Sequence, residues 1–369
     1  MKILAKTLEG LEQVLAEEIK ALGGTEIKIL KRAVQYVGDR TLLYKSNIML
    51  RTALRIIVVK KEFVALNEQQ LYRQMFDIPW ESIMNLDDTF AIDSTSNSEV
   101  FTHSKYVALK SKDAIADRFT SKFGKRPSVN VHTPTYRLNI HIRGTKVTLS
   151  LDSSGESLHM RGYRMNTVDA PLNEVLAAGL ILLSGWKGDT PFYDPMCGSG
   201  TFLIEAARIA LNQPPQNKNR PFGFTKWKSF DRGLYNRIWD DLENNIVAKE
   251  LSISGSDKSL RCVKVTQQNL LEAKLDNKIS VLKKDFFKLY PEKGITVIMN
   301  PPYDERLKET DINKFYKNIG LKLKKDFIKT NAWVFSGNLE ALEYISLGIS
   351  KEFNLMNGGL PAKFINYHM

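Results

Sequence analysis

A glycine-containing loop between a strand and an apolar helix constrains the fold of this chain more than any other feature. In YDPMCGSGTFLIEA (193–206), an aspartate precedes two glycines, and apolar residues at helical spacing follow them. Strand and helix patterns alternate from there to AWVFSG (332–337). This alternation predicts a parallel sheet with helices on both faces, in which ligands bind beyond the carboxyl ends of the strands.

The segments around this loop complete an α/β fold class. APLNEVLAAGLILLSGW (170–186) predicts an apolar helix before the sheet, and later helices are predicted to Leu211, over Leu260–Ala273 and over Ile312–Lys329. The last residues, 349–369, predict two strands around an Asn-Gly-Gly turn. We therefore expect a Rossmann-like parallel sheet that ends in an antiparallel hairpin.

The first 155 residues are organised differently and predict two small α+β units. LEGLEQVLAEEIKALGG (8–24) has an apolar helical face and a Gly-Gly stop, which together with a hairpin and a β-branched strand predicts one unit over residues 1–60. A second unit over 61–155 contains the long helix HSKYVALKSKDAIADRFTSKFG. A linker over 156–172 then leads to the α/β domain, 173–369, and a chain of 369 residues is long enough for this organisation.

The composition favours a polyanion as partner. The net charge is +12, and nucleic acid is the commonest polyanion that a basic chain meets, although an ordinary basic surface is the alternative. Cys197 and Cys262 give no disulfide framework, the five histidines lack metal-ligand spacing, and the apolar run Val175–Trp186 is shorter than the roughly 20 residues of a membrane span. The first residues turn polar too soon for a signal peptide. We expect a cytoplasmic protein without a metal or a membrane anchor.

The glycine loop does not match the common nucleotide loops. No Gly-Lys-Ser/Thr follows it, and Thr201 and Phe202 stand where a dinucleotide fingerprint would continue toward its third glycine. Gly198 and Gly200 allow a sharp turn and a close approach to a ligand. A tight structural turn is the alternative, and Asp194 favours a ligand, because a carboxylate at a strand end requires a cation or hydroxyls as partner.

Three aspartates at predicted strand ends indicate S-adenosylmethionine, which offers an ammonium group and ribose hydroxyls. Asp194 is the first, Asp257 is suited to the ribose, and Asp285 could accept from the adenine amine with Phe286 against the ring. The predicted cofactor-binding residues are Asp194, Pro195, Cys197, Gly198, Gly200, Thr201, Asp257, Asp285, Phe286 and Asn300.

The stretch NPPY (300–303) follows an apolar strand and predicts a methyl-acceptor site. Two prolines end the strand and make a rigid turn. The side-chain oxygen of Asn300 and the carbonyl of Pro301 could accept the hydrogens of an exocyclic amine and leave its lone pair aimed at an electrophile, while Tyr303 stacks on the base. The predicted catalytic residues are Asn300, Pro301, Pro302 and Tyr303, and a structural turn is the alternative.

Several basic residues are candidates for RNA contact. They are Lys105, Lys110, Lys112 and Arg118 on the long helix, and Arg161 and Arg164 in RGYR between the domains. A solvated helix face and a linker with exposed arginines are the alternatives, and for the RGYR pair so is contact with the cofactor. The inserted stretch 213–249 is either a surface excursion or a segment suited to RNA stacking through Arg220, Phe222, Phe224, Lys226, Trp227 and Lys228.

These motifs resemble a known family. DPMCGSGTFLIEA resembles the first motif of the THUMP-domain RNA methyltransferases, a branch of the class I S-adenosylmethionine-dependent methyltransferases, and NPPYDERL resembles their Asn-Pro-Pro-Tyr-Gly-Glu-Arg-Leu, with Asp304 in place of glycine. LEGLEQVLAEEIKALGG is similar to their ferredoxin-like unit, SKYVALKSKDAIADRF to the THUMP domain, and LHMRGYRMNTVDAPLNEVLAAGL to the linker and the helix that follows it. The resemblance is strongest to the bacterial 23S ribosomal RNA guanine-N2 methyltransferases. It implies the roles given above and a THUMP unit that grips RNA.

Other activities are compatible with the motifs. Asn-Pro-Pro-Tyr also serves adenine N6 and protein glutamine, so a tRNA guanine methyltransferase and a DNA adenine methyltransferase are alternatives. The two N-terminal units argue against DNA, and a protein glutamine methyltransferase would not need a basic RNA platform. A ribosome-assembly factor that binds RNA without chemistry is a further alternative, against which the intact Asp194, Asn300 and Tyr303 argue.

Overall fold

The computed structural model describes residues 1–164, 171–302 and 309–368, with the side chains from 312 onward in the last range. Within these residues the chain forms two seven-stranded sheets, one in the N-terminal half, between residues 2 and 152, and one in the C-terminal half, between residues 192 and 368. Tyr303 and Asp304 lie outside the described residues. No helix in the described part of the chain is long and apolar enough to cross a membrane.

The N-terminal sheet has the strand order β2-β3-β1-β4-β7-β6-β5, and only β5 and β6 run parallel. Its strands are β1 (Lys2–Lys6), β2 (Thr25–Leu30), β3 (Ala33–Val37), β4 (Arg55–Val64), β5 (Phe90–Asn97), β6 (Tyr136–Arg143) and β7 (Lys146–Asp152). Its helices are α1 (Glu12–Ala21), α2 (Arg40–Met49), α3 (Glu68–Phe76), α4 (Trp80–Ile83) and α5 (Ser104–Phe123). Strand β4 pairs with β1 and β7, so it joins both N-terminal units in one sheet and runs through residue 60.

The C-terminal sheet has the order β10-β9-β8-β11-β12-β14-β13 and runs parallel from β10 to β12. Its strands are β8 (Phe192–Asp194), β9 (Ile253–Asp257), β10 (Ser280–Lys283), β11 (Thr296–Met299), β12 (Asn331–Ser336), β13 (Gly348–Asn357) and β14 (Leu360–His368). The helices of this half are α6 (Glu174–Leu183), α7 (Thr201–Ala210), α8 (Arg232–Asn244), α9 (Leu260–Glu272), α10 (Glu309–Asp326) and α11 (Leu339–Glu343).

This sheet confirms the predicted fold class. The strands and helices alternate as the sequence pattern indicates, and β13 and β14 form the terminal antiparallel hairpin. Helix α10 begins and ends three residues earlier than predicted. Helix α6 is buried along almost its whole length, which agrees with its uninterrupted apolar sequence.

The inserted stretch 213–249 is neither a surface excursion nor an aromatic surface for RNA. Phe222 and Phe224 are fully buried in the core of the N-terminal half, and the ring of Phe224 stacks on that of Tyr44 with centroids 4.3 Å apart. Trp227 is 8% exposed and stacks on Tyr136. The insertion therefore attaches the C-terminal half to the N-terminal half, because burying its aromatic rings there removes a large apolar area from water.

Candidate active site

A buried aspartate ends β8, an inner strand of the C-terminal sheet. Asp194 is 1% exposed, and its Oδ1 accepts a hydrogen bond from the Met196 N–H at 3.1 Å. Burial raises the pKa of this carboxyl well above its usual value, and the nearby Asp257 carboxylate adds to that rise. No cationic side chain of the described residues offsets it. A buried acid in this state is suited to a cationic ligand.

The loop after Asp194 turns through two glycines in the left-handed region. The φ angles of Gly198 and Gly200 are +54° and +79°. A Cβ on Gly200 would lie 2.6 Å from Cγ2 of Thr266, so no side chain fits there without movement. The Gly198 N–H donates to Oδ2 of Asp257 at 3.1 Å, which ties the loop to the end of β9. The turn thus brings backbone close to whatever binds above it.

Helix α9 holds the same loop through two side chains that the sequence analysis missed. Thr266 Oγ1 donates to the Gly198 carbonyl at 2.9 Å, and Asn269 Nδ2 donates to the Ser199 carbonyl at 2.9 Å. Both side chains are fully buried. They stand three residues apart, on one face of the helix. Polar residues on the buried face of α9 are the signal that could have identified them.

The other predicted cofactor residues have different surroundings. Pro195 and Cys197 are buried in the loop, and Asp257 and Asp285 are half-buried at the carboxyl ends of β9 and β10. Asp285 Oδ1 accepts from the Phe287 N–H at 3.0 Å and so caps a short turn. The prediction that the Phe286 ring lies against the adenine is wrong. Phe286 is 3% exposed and packs on Phe327 and Phe287, so its ring belongs to the core and offers no open face to an adenine.

Asn300 follows β11, the parallel neighbour of β8. The register pairs Thr296 with Phe192 and Val297 with Tyr193, so Asn300 lies two residues beyond the position opposite Asp194. Strand spacing and rise then place the two Cα atoms about 8 Å apart. The Oδ1 of Asn300 is buried and has no hydrogen-bond partner among the described residues. Pro301 is buried and Pro302 is exposed behind it.

The amino-acid sequence matches the models of three known protein families, each over a different range of residues. Residues 161–365 match the RMKL-like methyltransferase domain, 65–152 the THUMP domain and 2–57 the RlmL ferredoxin-like domain. The chain belongs to the RMKL-like methyltransferase family. Over more than half of its length it therefore has the sequence as well as the fold of a class I methyltransferase.

Three similar proteins agree with this membership. The protein slr0064 of Synechocystis sp. (strain ATCC 27184 / PCC 6803 / Kazusa), whose name assigns it an RNA methyltransferase activity, is 36% identical over 99% of this chain and 96% of its own length. The ribosomal RNA large subunit methyltransferase K/L of Buchnera aphidicola subsp. Schizaphis graminum (strain Sg) is 36% identical over the whole chain but only 54% of its own length, so this methyltransferase spans about half of that relative. The structure of SMU.472, named as a methyltransferase and solved in complex with SAH, superposes with a TM-score of 0.90 at 28% identity, covering 100% of this chain and 97% of that one.

Arg161 of this methyltransferase does not lie where an RNA phosphate could reach it. The residue is 3% exposed and forms a buried ion pair with Glu205 of α7, to which Tyr163 Oη also donates at 3.1 Å. A second nitrogen of Arg161 donates to the Arg51 carbonyl of the N-terminal half. The predicted RNA contact is therefore wrong for Arg161, which joins the two halves of the protein.

Arg164 also points inward, toward the start of α7. Its Nη2 donates to the Leu172 carbonyl at 2.7 Å and to Thr201 Oγ1 at 3.0 Å, and it lies 3.3 Å from Oε1 of Glu174. The guanidinium is therefore beside the glycine loop.

The basic residues predicted on α5 are mostly paired. Lys105 is exposed and has no side-chain partner in the described part of the chain. The other three have partners: the Tyr72 ring for Lys110 at 5.2 Å, Asp113 for Lys112 at 3.0 Å, and Glu81 for Arg118 at 2.8 Å. Two of the four predicted basic residues, Lys112 and Arg118, are therefore ion-paired, whereas Lys105 and Lys110 have no acidic partner in the described part of the chain.

Proposed function

We propose that this methyltransferase moves the methyl group of S-adenosyl-L-methionine to the exocyclic N2 amine of a guanine in large-subunit ribosomal RNA. The cofactor follows from the family and from SMU.472, which was solved with the product SAH. The names of slr0064 and of the K/L methyltransferase support RNA, and ribosomal RNA in particular, as the substrate. The THUMP domain supports the same class of substrate.

The observation that carries the proposal is the unpartnered Oδ1 of Asn300. A buried amide oxygen without a donor costs free energy, about 1–3 kcal/mol, which a bound N–H group would recover. This oxygen lies at the same edge of the sheet as Asp194, one strand away. An exocyclic amine held there by Asn300 and by the Pro301 carbonyl would keep its lone pair directed at the methyl group.

The residues around the glycine loop fit the cofactor. Asp194 would bind its ammonium group, since the carboxyl is buried without a counter-ion. Asp257 and Asp285 would accept from the ribose and the adenine amine, each with lone pairs beyond those that hold Gly198 and Phe287. Gly200 lets the loop pack closely against α9, where a Cβ would meet Cγ2 of Thr266.

For methyl transfer, the main task of this chain is to position the acceptor amine. The bound sulfonium supplies an activated methyl group and a good leaving group. Asn300 and the Pro301 carbonyl hold the amine nitrogen in line while its bond to the methyl carbon forms and the sulfur–carbon bond breaks. The amine then loses one proton to solvent, so a strong general base is not required.

Mass-spectrometric mapping of modified nucleosides in ribosomal RNA and tRNA from a deletion strain tests the substrate. Loss of one N2-methylguanosine from large-subunit ribosomal RNA, restored by the wild-type chain and not by Asn300→Ala, is the expected result. A loss in tRNA would identify the tRNA enzyme instead, and a lost methyladenine would overturn the guanine assignment. Unchanged modification would favour a factor that binds RNA without chemistry.

A further inference from the structure

The methionine end of the cofactor is a zwitterion with an ammonium group and a carboxylate, and Asp194 can bind only the ammonium group. The ammonium group would pair with the buried carboxyl of Asp194 at the end of β8. The carboxylate half would need a cation or several N–H donors close to the same loop. None of the residues proposed above for the cofactor is cationic.

Arg164 places a cation at that position. Its hydrogen bond to Thr201 Oγ1, at 3.0 Å, fixes the guanidinium against the first residue of α7. Its side chain is 17% exposed, so the group is accessible although largely desolvated. Its Nε is buried and has no partner in the described part of the chain.

The start of α7 offers backbone N–H donors beside this cation, and both could bind the same anion. The helix is ten residues long, and its N-cap, Gly200, has no side chain to satisfy the first-turn N–H groups. Such groups, together with the positive end of the helix dipole, favour an anion. The acid before the glycine loop and the arginine beside its end therefore have opposite charges, which match the two charges of the methionine end.

Among the described residues, Glu174 orients Arg164 and leaves several N–H donors of the Arg164 guanidinium free to bind a ligand. Oε1 of Glu174 lies 3.3 Å from Nη2 of Arg164, and Oε2 is buried without a hydrogen-bond partner in the described residues. Burial raises the pKa of this carboxyl, and the Arg164 charge opposes that rise. A guanidinium has five N–H donors, and the contacts to Glu174, Leu172 and Thr201 all involve Nη2.

We propose that Arg164 binds the carboxylate of the cofactor's methionine end, across the glycine loop from Asp194. The inference rests on the proposed cofactor site. It assigns to RGYR a part in cofactor binding, and it links the segment between the two halves of the protein directly to the methyl donor.

Isothermal titration with two ligands that differ in this carboxylate alone tests the proposal. The ligands are S-adenosylhomocysteine and its decarboxylated analogue, in which a hydrogen replaces the carboxylate. The wild type should prefer S-adenosylhomocysteine by roughly tenfold to a hundredfold, the range for a hydrogen bond to a charged group. Arg164→Gln should bring that ratio close to one and leave the affinity for the analogue nearly unchanged.

Two further variants separate this role from others. Arg164→Lys keeps the charge and should retain part of the preference. Lys187→Gln removes a positive charge from an exposed position between α6 and β8 and should keep the full preference if general attraction is not the cause. If Arg164→Gln kept the wild-type ratio of the two affinities, the proposal would be overturned. An equal loss of affinity for both ligands would then show a purely structural role. A wild type that binds neither ligand would overturn the proposed function itself.

Discussion

Asp194 and Asn300 stand at the carboxyl ends of neighbouring parallel strands, with the register of β8 and β11 bringing both to one edge of the sheet. Each has an unmet requirement among the described residues: the buried carboxyl lacks a cation, and the buried amide oxygen lacks a donor. A methyl donor with an ammonium group and an acceptor with an N–H bond would satisfy both at once. The following predictions test the parts of this arrangement.

Asn300→Ala should lower methyl transfer at least a hundredfold, as the loss of a preorganised polar group at a reacting centre does. Affinity for S-adenosylhomocysteine should stay within a few-fold of wild type, because the side chain is proposed to hold the acceptor. Single-turnover kinetics and titration calorimetry measure the two effects. Asn236→Ala, at an exposed position on α8, is the matched control. Retained turnover in Asn300→Ala would exclude the proposed role.

Asp194→Asn should stabilise the ligand-free protein and weaken its cofactor binding. Burial raises the folded-state pKa of Asp194, so its stabilising contribution is present below the unfolded pKa and is lost as pH rises through the folded value. At neutral pH, above the unfolded pKa, folding therefore requires Asp194 either to take up a proton or to bury its charge, and the asparagine removes this cost. A higher melting temperature without ligand, and a smaller increase on adding S-adenosylhomocysteine, are expected in thermal scans.

The same pKa predicts a proton effect on binding. The cofactor's ammonium group favours the ionised carboxylate, so binding should release protons and affinity should rise with pH through the raised pKa of Asp194. Titrations in buffers of different ionisation enthalpy measure the released protons. Asp194→Asn should lose this release, and a variant that keeps it would show that another group is responsible.

Much of the catalytic half could be predicted because its signals are local. Asp194 and Gly200 stand a few residues apart in one strand–loop–helix unit, and NPPY ends its own strand. The pattern of each short segment specifies its structure, and the parallel topology then brings the strand ends together. Both N-terminal domains and the terminal hairpin carry equally local patterns.

The errors concern residues whose partners are distant in sequence. Arg161 meets Glu205, 44 residues later, and Phe224 stacks on Tyr44, which lies 180 residues earlier. A single sequence contains nothing that pairs these positions, so a buried arginine and an exposed one look alike. Aromatic residues among lysines likewise suggest nucleic acid, although here they pack into a protein core.

Gly200→Ala should destabilise the protein by about 1–3 kcal/mol, the usual cost of a side chain in a sparsely populated backbone region. The φ angle of +79° disfavours alanine, and its Cβ would meet Cγ2 of Thr266 at 2.6 Å. Thr266→Ser removes that methyl group and keeps the hydroxyl that donates to Gly198. The double variant should therefore recover part of the stability in urea titrations. Full recovery would show that the backbone strain is negligible.

Phe224→Ala should cost about 3–5 kcal/mol of folding free energy, since it removes a large, fully buried side chain. The salt dependence of RNA binding by the remaining folded protein should not change, because the ring does not reach the surface. Urea titration and filter-binding at several salt concentrations measure the two effects. A stable variant with weaker RNA binding would restore the stacking interpretation of the insertion.

The surface of α9 and β10 should contribute to RNA binding through phosphates. Residues 258–293 contain nine Lys and Arg against four Asp and Glu, whereas 61–155 contain twelve against eleven. All nine are exposed, and none forms an ion pair within the described residues. Lys258, Arg261 and Lys284 lie at the carboxyl edge, where the site is, since the Lys284 N–H donates to the Asp257 carbonyl at 3.1 Å.

Replacing those three with glutamine should reduce the slope of log affinity against log salt by roughly 0.7–0.9 for each phosphate that the protein no longer neutralises. Lys324, Lys325 and Lys329 offer a matched control with the same charge change, because they are exposed near the carboxyl end of α10, at the opposite edge of the sheet. Their replacement should leave the slope nearly unchanged. Equal effects of the two triple variants would mean that net charge, and not this surface, attracts the RNA.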